Sequence, residues 1–194
     1  MQSFKKSFIS YLREVSIVVI GVLIAVYLGS LKEDYDNRRF VHKTMTALQA
    51  EAKASHKDLK EVLDKHLRIL DSLRVQLTSN NEEESLMDFT ARMGGVQVAT
   101  NNNNVLRFFI SNKAELLDYE MITKLSEIEF ASNLMNRKME KLLDFAYLHL
   151  QNSDLDTKLQ FASFLSNVVD SEANLVDQYD ELLQEYKVYF PDSL

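Results

Sequence analysis

Residues 12–31 read LREVSIVVIGVLIAVYLGSL, and this stretch decides how the rest of the chain is interpreted. No charged side chain occurs between Glu14 and Lys32. A helix of about 20 consecutive apolar residues crosses the hydrocarbon core of a bilayer, so the stretch has the length of one membrane span. We therefore predict a transmembrane helix over residues 12–31, with the lipid bilayer as its partner.

The composition of the chain favours long helices. Its 194 residues include only four Gly and one Pro, with 46% hydrophobic and 26% charged residues. Because Gly and Pro interrupt helices, we predict an all-α fold in which the N-terminal transmembrane helix continues into an antiparallel helical bundle with long helices. The absence of Cys excludes disulfides, thiolate metal ligands and cysteine nucleophiles.

Charge is distributed unevenly along the chain. Residues 1–31 carry three basic side chains and one acidic side chain, a net charge of +2; because the whole chain carries −7, residues 32–194 carry −9. Nucleic-acid binding draws most of its affinity from cationic contacts to phosphate, so we expect no nucleic-acid partner. The negative charge is interpreted as keeping the domain soluble.

The predicted organisation is an amphipathic segment over 1–11, the transmembrane helix over 12–31 and a helical extramembrane domain over 32–194. A cleaved signal peptide is the alternative explanation for a basic start followed by an apolar run. Cleavage after Ser30 would leave Leu28 at a position where a small residue is expected, so an uncleaved anchor is favoured.

The orientation of the span is predicted from the N-terminal segment. Basic residues lie close to the span on both sides, and their number does not decide the orientation. A short basic tail before an apolar run is typical of export signals, and long domains translocate largely regardless of charge. We therefore predict a cytoplasmic N-terminus, with residues 32–194 on the other side of the membrane.

Apolar residues recur at intervals of three and four throughout the rest of the chain, which predicts helices. The first should continue from the membrane to about Leu77, where Thr78 and Ser79 favour a break. The next helix is predicted at about 82–93, because the carboxylates of Glu82, Glu83 and Glu84 favour a helix start. Further helices are predicted at about 105–111, 120–151 and 155–188, with a turn over 113–118 and a break with a new cap at 152–154. Those of their apolar residues expected in the core include Leu67, Phe108, Phe109, Phe130, Leu134, Leu148, Leu159, Phe161, Phe164 and Tyr179.

The polar residues show no catalytic or metal-binding signature. None of the four histidines, His42, His56, His66 and His149, has a second ligand at the spacing of a helical zinc site. We therefore predict no catalytic residue, no metal and no cofactor. His66 lies on the apolar stripe and would need a hydrogen-bond partner there.

Three further clusters are given structural interpretations. Asp177, Asp180 and Glu181 are expected to form a solvated acidic face, and the run 101–104 (NNNN) to form a loop. An exposed docking patch is the alternative to a core position for the C-terminal aromatic residues Tyr186, Tyr189 and Phe190.

One candidate site lies within the span itself. Gly21, Ala25 and Gly29 are spaced four apart, which forms a ridge of small residues that lets another helix approach closely. Glu14 lies seven residues before Gly21, which places both on the same face to within about 20°. We predict that these four residues form a helix-packing site in the membrane, although an acid at the membrane edge can also reach a lipid head group.

The same stretch resembles a known family. Glu14, the aliphatic run IVVIGVLIAV at 17–26 and the polar helix that continues beyond it resemble the start of a family of uncharacterised bacterial single-pass membrane proteins, known only as a domain of unknown function. The likeness covers residues 12–31. An Asn-x-Trp-Asn-like motif usually follows the span, but here residues 28–31 read LGSL. The resemblance implies an inner-membrane anchor with a helical outer domain in the periplasm, and it implies no activity.

Two functions from different classes follow from these features. The first is a non-enzymatic structural or accessory subunit, which assembles with itself as a homo-oligomer or with a larger membrane protein complex through helix–helix interactions. The second is a membrane-tethered, ligand-sensing helical bundle, which a small molecule bound in the bundle would support.

The predicted orientation can be tested with a reporter that is active only in the cytoplasm. Fused after Leu194, the reporter should be silent, because residues 32–194 are expected outside. Fused before Met1, it should be active, which serves as the control. Strong activity of the fusion after Leu194 would contradict the orientation.

Overall fold

A computed structural model describes residues 2–80, 82–100 and 103–189, with side chains described at 11, 13–80, 82–100 and 103–185. Within these ranges the fold is all-α, as predicted, and contains no β-strand. The elements in chain order are α1 (Gln2–Thr78), α2 (Leu86–Arg92), α3 (Asn104–Lys113), a 3₁₀ turn (Ala114–Leu116), α4 (Tyr119–Leu148) and α5 (Leu155–Tyr189).

The chain divides into two compact units, Met1–Met45 and Thr46–Leu194, which we call the N-terminal unit and the bundle unit. Both include part of α1, which is helical without interruption from Gln2 to Thr78. This confirms the single long helix that was predicted to end near Leu77.

The N-terminal unit contains an apolar stretch that is not buried. Every side chain described from Arg13 to Asp36 is exposed. An 18-residue window in this part of α1 has a mean hydropathy of 2.2, and none of it is buried. By length and composition, this helix could span a membrane. Apart from Tyr11, the face predicted for the amphipathic segment 1–11 lies outside the described side chains.

In the bundle unit, α4 and α5 pack against each other in antiparallel orientation. Lys124, near the start of α4, forms an ion pair with Glu185, near the end of α5. Further along, the Lys138 ammonium donates to the Ser171 hydroxyl at 2.6 Å. The order of these contacts is reversed along the two helices, which is the arrangement of the predicted antiparallel bundle.

The part of α1 in the bundle unit is antiparallel to α5. His56 lies 3.1 Å from an Asp180 oxygen, and His66 lies 2.9 Å from a Glu172 oxygen. The interface between α1 and α5 therefore contains two polar contacts in addition to the apolar side chains of α1.

The main core forms where four helices meet. Apolar side chains of α1, α4 and α5 interdigitate there, and α2 covers them at one end. The backbone N–H groups of Leu86 and Met87 each donate at 2.8 Å to carbonyls of the α4–α5 connection, which fixes α2 in place. The cluster consists of Ile69, Leu70, Leu73, Leu86, Phe89, Met139, Leu142, Ala146, Phe161, Leu165, Val168 and Val169.

Short polar side chains begin three of the helices. Ser85 accepts a hydrogen bond from the Asp88 N–H and caps α2, which begins at Leu86. The helix start predicted at the three glutamates 82–84 is therefore wrong, because the side chain that binds the free backbone N–H belongs to Ser85. Asp118 and Asp154 cap α4 and α5 in the same way, at 2.8 Å in each case. The predicted cap at Asp154 is thereby confirmed.

Several apolar residues predicted to be in the core are exposed, and those predictions are wrong. Phe130 lies two positions, or about 200°, from the buried Ile128, so it lies outside the buried face of α4. The pattern on α4 contains two apolar stripes, and only one of them is buried. The residues concerned, with their exposed fractions, are Leu67 (43%), Phe108 (52%), Phe130 (67%), Leu134 (40%), Leu148 (81%) and Leu159 (58%).

The contrast between Phe108 and Phe109 gives a matched test of the packing of α3. Phe109 is fully buried, and Phe109→Ala should lower the free energy of unfolding by about 3–5 kcal/mol, the usual cost of truncating a core Phe. Phe108→Ala removes the same atoms from an exposed position and should cost less than half as much. Thermal unfolding of the full-length protein in mild detergent, followed by circular dichroism, measures both. Equal losses of unfolding free energy would contradict the burial of Phe109 and the exposure of Phe108.

Candidate functional site

The predicted membrane site lies on the exposed surface of α1. Glu14, Gly21, Ala25 and Gly29 are all solvent-exposed in the N-terminal unit. A Cβ atom added at Gly21 or Gly29 would meet nothing within 4 Å. The helix therefore presents an open ridge about 12 Å long, on which another helix backbone has room to approach. The contact itself stays a prediction.

The bundle unit contains a fully buried polar pair, His66 and Glu172. Both side chains are fully buried, and His66 Nδ1 lies 2.9 and 3.0 Å from the two Glu172 oxygens. A histidine on the apolar stripe needs a partner, and this prediction is confirmed. The sequence did not single out Glu172, although an acid on the apolar face of a long amphipathic helix is itself the signal for such a pair.

A second histidine–carboxylate pair lies nearer the surface. His56 Nε2 is 3.1 Å from an Asp180 oxygen, with side-chain exposures of 17% and 45%. Asp180 was predicted to belong to a solvated acidic face, and it also contacts α1. Within the described ranges no three His, Asp or Glu residues are placed to hold a metal ion.

Two carboxylates of α1 accept hydrogen bonds from backbone N–H groups in the first turn of α3 and in the segment before it. The Val105 N–H donates to the Glu51 carboxylate at 3.1 Å, and the Thr100 N–H donates to Asp58 at 2.6 Å. A polar cavity of about 470 Å³ lies between these elements. Glu51 and Asp58 line this cavity, and the hydrogen bonds that they accept hold the segment against α1. The volume of the cavity is large enough for a small polar molecule.

Asn103 shows that the asparagine run is partly structural. It is buried, and its Oδ1 accepts a hydrogen bond from the Tyr179 hydroxyl at 2.9 Å. Burial raises the pKa of Tyr179 to about 12, so this hydroxyl stays protonated over the physiological range. Residues 101 and 102 lie outside the described ranges, as do the side chains of the predicted docking patch Tyr186, Tyr189 and Phe190.

A further titratable side chain is buried near the α2 end of the bundle. Lys158 is fully buried, a position that nothing in the sequence pattern indicated. Arg92 binds the Glu84 carboxylate through two nitrogens at 2.8 Å, and this hydrogen bonding lowers the pKa of Glu84, with a smaller contribution from the charge of Lys158.

The exposed stripe of α4 borders a groove against α5, which we call the α4/α5 groove. Its volume is about 570 Å³. Tyr119 is 84% exposed and Phe130 67% exposed, although both are large apolar side chains. The groove is lined by Tyr119, Ile122, Thr123, Ser126, Glu127, Phe130, Ala131 and Leu134 of α4 and by Asn174 and Gln178 of α5. A contiguous exposed patch of this kind is typical of an interaction surface.

Comparison of the chain with protein-family models, with curated proteins and with solved structures finds no match. The resemblance of residues 12–31 to a family of single-pass membrane proteins therefore stays a prediction.

The two histidine–carboxylate pairs permit a matched prediction. Glu172→Ala leaves a buried His66 without its partner and should cost about 3–5 kcal/mol of unfolding free energy. Asp180→Ala breaks a partly exposed pair between the same two helices and should cost no more than about 1 kcal/mol. Urea unfolding of the full-length protein in mild detergent measures the difference. Similar losses for the two variants would contradict the burial assigned to Glu172.

Proposed function

We propose that this protein is a membrane-anchored, non-enzymatic structural or accessory subunit that acts through helix–helix interactions. The observation that carries the proposal is the apolar stretch of α1, of which none is buried in the chain while the long helices of the bundle unit bury their apolar stripes. An apolar stretch of this length needs a lipid or protein environment, since every side chain described from Val15 to Leu31 is exposed.

The energy of transfer favours lipid. The segment from Ile17 to Leu28 contains nine Ile, Leu and Val residues. At about 0.3–0.6 kcal/mol for each such residue at the centre of a helix, insertion gains roughly 3–5 kcal/mol. The backbone polar groups of this segment are already paired within the helix, as a bilayer requires.

The non-enzymatic part of the proposal rests on how the buried titratable side chains are used. His66 and Glu172 hold each other between α1 and α5, and the Tyr179 hydroxyl holds Asn103. Each of these side chains therefore has a structural role that accounts for its burial. The ligand-sensing alternative is supported by the polar cavity beside Glu51 and Asp58, and a small molecule found there would favour it.

The proposed location is a bacterial inner membrane, with the N-terminus in the cytoplasm and the bundle unit in the periplasm. The proposed partner in the membrane is a helix of a second copy or of a larger complex, packed on the ridge of Glu14, Gly21, Ala25 and Gly29. In lipid, helices associate through close packing, which small side chains allow. Covering Glu14 with a hydrogen-bonding group would reduce the cost of an acid at the membrane edge.

A bulky substitution on the ridge tests this proposal. Gly21→Leu should leave the protein in the membrane fraction, because Leu makes the span more apolar, but should shift its assembly to a smaller size by blocking helix approach. Val19→Leu adds bulk about 160° away around the helix and serves as the control. Assembly size is measured in mild detergent.

Two results would contradict the proposal. If Gly21→Leu keeps the full assembly size, the ridge is incidental and the helix is only an anchor. If the unmodified protein is released from membranes by alkaline carbonate, the anchor itself is wrong. In a further variant, Glu14→Gln, an unchanged assembly size would show that the charge of Glu14 is not needed for assembly.

A further inference from the structure

The exposed apolar stripe of α4 runs beside the α4/α5 groove. Tyr119, Phe130 and Leu134 form this stripe, because helix geometry places them within about 60° of one another on one side of α4. Glu127 and Ala131, which line the groove, lie about 60° and 100° around α4 from Phe130, on the side towards α5. Each bundle unit therefore carries protruding apolar side chains next to a groove that such side chains can fill.

The groove and the stripe lie at the same height along the bundle. Two contacts between α4 and α5 fix the heights, since Lys124 forms an ion pair with Glu185 and Lys138 donates a hydrogen bond to Ser171. Halfway between these contacts, Gln178, which lines the groove, is level with the middle of the stripe.

We propose that a second copy of this chain occupies the groove, with the two α4 helices parallel and related by a two-fold axis that runs along them. This rests on the proposed function, because two copies anchored in one membrane in the same orientation run in the same direction. A two-fold axis along the helices keeps every residue at its own height, so a stripe can enter a groove only if the two are level. That condition is met here. The proposal concerns the bundle unit, whereas the ridge of the N-terminal unit is a separate surface.

The directions of the side chains fit this pairing. A helix that enters the α4/α5 groove contacts both of its walls, so α4 of one copy contacts both α4 and α5 of the other. Leu134 lies about 40° nearer than Phe130 to the α5 helix of its own copy. The two Leu134 side chains therefore lie on either side of the axis, and each Phe130 lies between the two walls of the opposite groove, beside Gln178. Both exposed apolar side chains are covered by this arrangement.

Opposite charges meet across the same interface. Arg137 lies seven residues after Phe130 on the same side of α4, so it also faces α5 of the second copy. The contact of Lys138 with Ser171 places Asp170 within one helical turn of that height. Arg137 and Asp170 are both exposed, and within the described part of the chain neither belongs to an ion pair. The pairing gives each of them a partner of opposite charge.

Glu127 gives this pairing a property that other pairings lack. It lies within about 20° of Leu134 around α4, so the two copies bring their Glu127 side chains towards each other near the axis. Like charges at this place weaken the association, and their removal should strengthen it.

A single cysteine tests the parallel pairing. The chain has no Cys, so full-length Leu134→Cys can be oxidised briefly in membranes. It should form a disulfide between two copies, because the two positions face each other across the axis and a disulfide requires Cα atoms within roughly 7 Å. Val75→Cys replaces a side chain that is 69% exposed on α1, and as the control it should form little disulfide.

Charge changes test which residues meet. Arg137→Glu should lower the yield of the Leu134→Cys disulfide at least about fivefold, and adding Asp170→Arg should restore the yield by exchanging the two signs. Glu127→Gln should raise the yield, because it removes the like charges near the axis. Arg68→Glu makes the same charge change as Arg137→Glu at an exposed position of α1 and should leave the yield unchanged.

The outcomes that would overturn the proposal are distinct. No disulfide from Leu134→Cys, an equal yield from Val75→Cys, an undiminished yield with Arg137→Glu, or a yield that Glu127→Gln lowers or leaves unchanged would each overturn it. A disulfide from Leu134→Cys to a protein of another mass, with none to the second copy, would also overturn it. Failure of the anchor would show separately, in carbonate extraction and in the assembly size of Gly21→Leu.

Discussion

The contact between His66 and Glu172 constrains how α1 packs against α5, and the arrangement of the bundle depends on it. A buried polar pair adds little net stability, because removing two polar groups from water costs about as much as their mutual attraction returns. It nevertheless penalises every register in which one of the two is buried alone. Sliding α1 by one turn along α5 would separate the pair and also move His56 away from Asp180. The polar pairs therefore specify a register that the apolar stripes alone would leave open.

Helix α1 has two different environments along one continuous helix. Beyond Thr46 its apolar stripe is covered by α5 and α4, and its exposed positions are mostly charged. Between Val15 and Leu31 it is apolar around its whole circumference and exposed. A helix that is apolar on every side suits lipid, whereas one with a single apolar stripe suits a bundle in water. The change in pattern along α1 is the physical basis for assigning the anchor and the bundle to different solvents.

Much of the fold was predictable because few Gly and Pro residues occur and the apolar period is sustained. The long helix ending near Leu77, the cap at Asp154 and the partner demanded by His66 all followed from local rules. The exposure of Phe130 did not, because periodicity identifies stripes but not which of two stripes is buried. The burial of Lys158 and Glu172 was also not predicted, because charged residues are assigned to the surface unless a partner is known. The ridge around Gly21 is visible in the sequence, but its residues do not specify which helix would pack against it.

The central claim is that the apolar part of α1 lies in lipid while the bundle lies in water. Because the chain has no Cys, single cysteines at Ile20 and at Val75 can be compared by labelling membranes with a water-soluble maleimide. Val75 is 69% exposed in the bundle unit, so Val75→Cys should react fully. Ile20→Cys should stay unlabelled until detergent dissolves the membrane, because the thiolate that reacts does not form in hydrocarbon. Labelling of Ile20→Cys in undissolved membranes at the same rate as Val75→Cys would contradict the account.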